Sequence, residues 1–270
     1  MNIFERMLYF LNNFEMNEPS SFGWFHFLWI FLTIFGIFGL YKLKKNYNDK
    51  QLKKVLLIYG IIALVLELIK QIMWSFNYDS ITKIVTWKYE WYAFPFQLCT
   101  TPIFISIICS FLKKGKVRDS LLSFMAFVTI LGSIATIIIP DSCFVSDILI
   151  NIHTMWLHCG SLVVSVYLLM SGEVKINVNN LIKSILVFIG FVFLALILNI
   201  LIYNSNILNG DTFNMFYISP YFISTLPVFD IIQKSFPYPL FLTTYICVIS
   251  TGAFVVYGIS YLIKNKLSRR

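Results

Sequence analysis

Charge is what this sequence has least of. Asp, Glu, Lys and Arg make up 13% of its 270 residues, whereas roughly a quarter of an ordinary soluble domain is charged. Thirteen acidic residues stand against 27 phenylalanines. A soluble chain of this composition could not cover its surface with polar groups; a lipid-facing surface removes that demand. Cysteines are few and scattered. Cys99, Cys109, Cys159 and Cys247 lie in apolar runs and Cys143 stands alone in a loop, which excludes the disulfide framework of a small secreted domain. There is no CxxC pair and no zinc-ligand spacing, so no metal and no cofactor is expected. The GxGxxG, P-loop and HExxH signatures are missing as well, and no internal repeat is evident. The first 21 residues carry Glu5, Glu15 and Glu18 and lack a small-residue cleavage site, so they are not expected to act as a signal peptide.

Apolar length is what the chain has in excess, with a mean hydropathy of +0.77. Seven runs, 24–41, 55–74, 91–112, 121–139, 148–169, 181–203 and 240–263, approach or exceed the roughly 20 residues that a helix needs to cross a bilayer core. None shows period-2 alternation, and backbone groups in lipid must be satisfied within the segment. The expected fold is therefore all-α, a polytopic membrane helix bundle of seven transmembrane helices.

The net charge of +8 reports topology, with no nucleic-acid partner implied. Lys42, Lys44, Lys45, Lys50, Lys53 and Lys54 follow the first run. Lys113, Lys114, Lys116 and Arg118 follow the third, Lys175 and Lys183 the fifth, and Lys264, Lys266, Arg269 and Arg270 end the chain. The alternate segments hold only Arg6, Lys83, Lys88 and Lys234. By the positive-inside rule the N-terminus lies outside and the C-terminus in the cytoplasm. Residues 1–23 read as an interfacial segment, 24–263 as the membrane domain, and 264–270 as a cytoplasmic tail. Within the domain, 204–239 is broken by Pro220, Pro227, Pro237 and Pro239 and reads as an outer lid or re-entrant loop. The expected setting is the cell membrane, with membrane lipids as partners.

Ionisable residues inside a membrane usually face a bundle interior or a wet cavity. His26, Glu67, Lys70, Gln97, Cys99, His153 and His158 all fall in the outer halves of their runs, while the inner halves are almost wholly apolar. That shared depth points to a cavity open to the outer face. Glu67 and Lys70 are three apart and share a helix face. Pro95 suits the first turn of the third helix, which places Cys99 near its positive end, and Pro102 should bend the backbone beside it. Such a setting favours a thiolate if a base or cation is near. The structural alternatives are a small membrane-helix residue for Cys99, an ion pair for Glu67 and Lys70, and interhelical hydrogen bonds for the histidines. His153 and His158 are five apart, about 140° around an α-helix, so both cannot face one small site without distortion. Thr154 shares a face with His158.

FPFQLCTTP (94–102), the upstream helix with Glu67 and Lys70, and the downstream HTMWLHCG (153–160) resemble the YwaF / transmembrane protein 164 family over most of the chain. That family includes a eukaryotic acyltransferase that moves a fatty acyl chain between phospholipids through an acyl-cysteine. The resemblance implies Cys99 as the nucleophile and His158 as the general base, with His153 the second choice. For lipid acyl transfer at the outer leaflet, the shared polar pocket would supply Lys70, Gln97 or Thr154 as donors to the oxyanion, with Glu67 and His26 as further substrate-binding residues. A different class of reading uses the same polar pocket without Cys99 chemistry: a transporter or ligand-sensing protein, with Glu67 and the histidines as proton or ligand groups.

Overall fold

The computed structural model describes residues 2–44, 47–79, 81–140 and 143–268. Lys45 of the first basic loop and Arg269 and Arg270 of the tail lie outside the described residues. Among the described residues six helices are long and apolar enough to cross a bilayer: α2 (Trp24–Leu43), α3 (Asp49–Met73), α5 (Lys116–Ile138), α6 (Ile148–Met170), α7 (Val178–Asn204) and α9, whose apolar window lies within Tyr238–Lys266 and which runs Tyr238–Ser268. Three shorter helices are α1 (Ile3–Asn12), α4 (Thr101–Phe111) and α8 (Phe229–Ser235). The fold is a polytopic helical bundle. Several helices outrun their apolar stretches because polar residues cap them. Asn48 accepts from the Gln51 N–H at 2.9 Å, and Asn177 from the Asn180 N–H at 2.9 Å, each satisfying a backbone donor left free at a helix start.

The third crossing departs from expectation. The run 91–112 is not one helix: only the 11 residues of α4 are helical in its second half, about 16 Å of rise. Residues 94–100 reach it through bends and a turn. Pro102 explains the starting point. It occupies the first turn of α4, where its missing N–H costs no hydrogen bond, so it begins the helix and does not bend it. Cys99 consequently sits in the turn before the helix, and Pro95 lies outside any helix.

Helix ends sort into two groups. At the lysine-rich end, Asp49 of α3, Arg118 of α5 and Glu173 after α6 meet through ion pairs. At the other, the Met16 N–H donates to Ser146, Gln97 bonds Asn214, and the backbone N–H of Trp91 donates to Asp211. A small antiparallel hairpin, β1 (Phe76–Tyr78) and β2 (Val85–Trp87), follows α3 and was not expected. The amphipathic α1 packs against it through Phe4–Phe76 and Tyr9–Tyr78 ring contacts.

Lipid offers no hydrophobic drive to bring helices together, so close backbone approach matters. α4 lies along α3, α5 along α7, and α2 along the second half of α6. Gly60 permits the first of these: a Cβ there would lie 2.7 Å from Ile107 Cγ1 and 3.2 Å from the Ile107 backbone N. Because backbone as well as side chain must yield, Gly60→Ala is expected to cost about 1–3 kcal/mol, read as a lower midpoint of thermal unfolding in detergent. An unchanged midpoint would show that α4 can slide.

Candidate functional site

Glu67, Lys70 and Gln71 occupy the last two turns of α3 at i, i+3 and i+4, a single face. Glu67 is buried and fully engaged. One carboxylate oxygen is 2.7 Å from Lys70 Nζ and 2.8 Å from Gln71 Nε2; the other is 2.7 Å from His153 Nε2 on α6. The anticipated Glu67–Lys70 pair is therefore present, and His153 joins it. With Nε2 held by the carboxylate, Nδ1 is the ring nitrogen left for another partner. Gln71 also donates to the Ala93 carbonyl at 2.7 Å and accepts from the Tyr89 hydroxyl at 2.9 Å. Burial, then the Glu67 carboxylate, push Tyr89 up to about 12, so it remains a phenol that donates.

His158 lies in a π-helical turn, Trp156–Gly160, set into α6. An i→i+5 turn brings residues five apart toward one face. His153 lies in the α-helical stretch before this turn, and it influences His158 electrostatically. The His158 ring lies near the Gly132 carbonyl of α5. A second π turn, Met125–Thr129, interrupts α5 opposite the stretch Ser161–Met170 that follows the first. Thr129 and Ser165 are 3.2 Å apart there, and the Ser161 hydroxyl donates to Thr129 at 3.4 Å. π turns recur at functional sites.

Cys99 is within electrostatic reach of Lys70 and Glu67, and of the phenols of Tyr59 and Tyr217. Among the described residues no hydrogen bond joins its sulfur to either histidine. Cys99, His158 and Tyr217 are each half-buried.

The segment after α7 closes this region. Phe213, Met215, Phe216 and Ile218 are fully buried, so it is packed into the bundle and does not merely cover it. Phe216 and Tyr217 have φ of 58° and 59°, the left-handed region, which costs a non-glycine residue about 1–3 kcal/mol. Two amides hold them there. Gln97 accepts from the Phe216 N–H at 2.7 Å and donates to the Asn214 carbonyl at 3.0 Å. Asn199 accepts from the Met215 N–H at 2.7 Å and donates back to its carbonyl at 3.0 Å.

The remaining sequence candidates divide. Gln97 reaches the region but uses its carbonyl and one amide N–H on the clamp. Thr154 is half-buried on α6 and takes no part in the Glu67 hydrogen bonds. His26 stands apart, joining the Phe22 N–H at 3.0 Å and the Ile137 carbonyl at 2.7 Å, where it ties α2 to the end of α5. Gln71, Tyr89, Tyr59 and Tyr217 are additions. Of these, only Gln71 left a signal, four residues after Glu67.

The model of the TMEM164 family matches residues 21–257. No curated protein matches, and no solved structure does.

Proposed function

The chain belongs to the TMEM164 family, and from that premise we propose that it is a cysteine-dependent lipid acyltransferase working in the outer half of the membrane. The observation that carries the proposal is the buried Glu67–His153 pair at 2.7 Å, with Cys99 within electrostatic reach of Glu67 and Lys70. A nucleophile, a base and a carboxylate that orients the base form a recurrent catalytic arrangement. His153 has that carboxylate, so His153 takes the base's role. A bound lipid must draw thiol and imidazole into hydrogen-bond reach, as catalytic contacts often tighten only with substrate.

The steps balance as follows. His153 Nδ1 takes the Cys99 proton, and the sulfur attacks the ester carbonyl of a phospholipid. The C–O bond breaks, the lysolipid oxygen receives the proton from His153, and the acyl chain remains as a thioester. A hydroxyl of the acceptor lipid then attacks the thioester while His153 takes its proton and returns it to sulfur. Lys70, Thr154 or the free amide N–H of Gln97 donates to the oxyanion.

Incubation with a phospholipid carrying a labelled acyl chain is expected to leave a hydroxylamine-labile label on the protein. Cys99→Ala abolishes it and Cys247→Ala, on the exposed surface, does not. A label of the same size on Cys99→Ala would sink the assignment. One observation favours the ligand-sensing reading instead: the hydrogen bonds Tyr89–Gln71–Glu67 lead from the outer surface to the buried carboxylate. Under that reading function survives Cys99→Ser and fails in Glu67→Gln.

A further inference from the structure

A cavity of about 720 Å³ opens between residues 87–94 and the 207–211 loop, within the size range of small-molecule sites. Its walls include four aromatic rings, Trp87, Tyr89, Trp91 and Phe94, and two carboxylates, Glu90 and Asp211. The rings pack against one another as a row along the wall: Trp87 and Tyr89 are near parallel, with centroids 6.2 Å apart at 16°, and Tyr89 meets Trp91 edge-on at 5.0 Å and 89°.

We infer that this cavity is a binding site for a quaternary ammonium ion. Aromatic faces attract a cation through their quadrupoles, most strongly when the cation sheds its water, and the carboxylates supply negative charge. Their hydrogen-bonding state selects among cations. Asp211 accepts from the Trp91 N–H through one oxygen and from the Thr212 N–H, at 2.7 Å, through the other. Glu90 is 3.1 Å from Lys88 Nζ. Charge remains while many acceptor directions are taken, which suits a cation that has no N–H to donate. Lys88 does not close the site, because its side chain is 71% exposed and exposed ion pairs hold weakly. The ligand would be registered inside the membrane: Tyr89 is both a wall of this cavity and the donor to Gln71, which donates to Glu67. The inference does not rest on Cys99 chemistry.

The test is titration of the full-length protein, in detergent, with tetramethylammonium, followed by tryptophan fluorescence. Saturable binding is expected. Trp87→Ala, a change at an exposed ring, and Asp211→Asn, which keeps an acceptor for the Trp91 N–H, should each weaken it at least tenfold. The neutral isostere 3,3-dimethylbutan-1-ol should bind at least tenfold more weakly than choline. A lipid headgroup and a free solute share this chemistry, and nanodiscs separate them. Weaker tetramethylammonium binding in phosphatidylcholine than in phosphatidylglycerol discs supports the headgroup; equal binding supports the solute. No saturation, equal affinity for the neutral isostere, or unchanged affinity in both variants would overturn the inference. These outcomes leave the acyl-label experiment on Cys99 untouched.

Discussion

Glu67→Ala is expected to lower stability by about 3–5 kcal/mol, the usual cost of removing one partner from a buried ion pair. The loss has a structural origin. Lys70, His153 and Gln71 all turn toward this one carboxylate, and Lys70 and His153 are themselves buried. Without it an ammonium and an imidazole stay in a low-dielectric interior with nothing to balance them. Glu67→Gln should lose less, because the amide keeps shape and one acceptor, yet it cannot compensate the Lys70 charge. Adding Lys70→Met to Glu67→Gln should recover part of that loss, since groups in one network couple. Thermal unfolding of the purified protein in detergent reads all three. A Glu67→Ala midpoint within experimental scatter of the parent would mean that the pair is effectively solvated.

How much of this cluster could be read in the sequence depends on which periodicity governed each residue. Glu67 and Lys70 lie on an uninterrupted α-helix, so their spacing of three was sufficient. Gln71 obeys the same rule and could have been found by it. His153 and His158 were expected not to share one small site without distortion; a π turn at His158 supplies a distortion, and no residue type marks such an insertion. Hydropathy likewise identified the run 91–112 but could not show where its hydrogen-bond ladder begins, since composition is blind to the ladder. Pro102 held that information, as a residue fit for the first turn of α4. The clamp of Gln97 and Asn199 on residues 214–216 joins positions more than 100 residues apart for Gln97, and no local rule reaches that far. Six of the seven expected crossings were legible as full helices because a bilayer imposes both length and internal hydrogen bonding.

Arg118 shows the same limit from the other end of the bundle and supports the second large prediction. Sequence placed it among the loop charges that set orientation. Its side chain has no exposure; Nη1 is 2.7 Å from Asp49 Oδ1 and Nη2 is 3.1 Å from Glu173 Oε1. Glu173, itself only 7% exposed, also meets Lys114 Nζ at 3.2 Å and the Tyr47 hydroxyl. Burial, then Glu173, push the Tyr47 phenol well above its usual range, so it donates as a neutral group. One guanidinium thus joins the start of α3, the start of α5 and the loop after α6. Arg118→Met should cost about 3–5 kcal/mol, because Glu173 is left buried against a single largely exposed lysine. Arg118→Lys should restore little of it, since one ammonium cannot reach two carboxylates as a planar fork does. Glu173→Gln in the Arg118→Met background should restore more, by removing the charge that was stranded. Orientation, measured by the accessibility of single cysteines placed in the loops, should not change, because Lys113, Lys114 and Lys116 remain in the same loop. A charge that served orientation alone predicts the reverse: a protein of undiminished stability and a mixed topology.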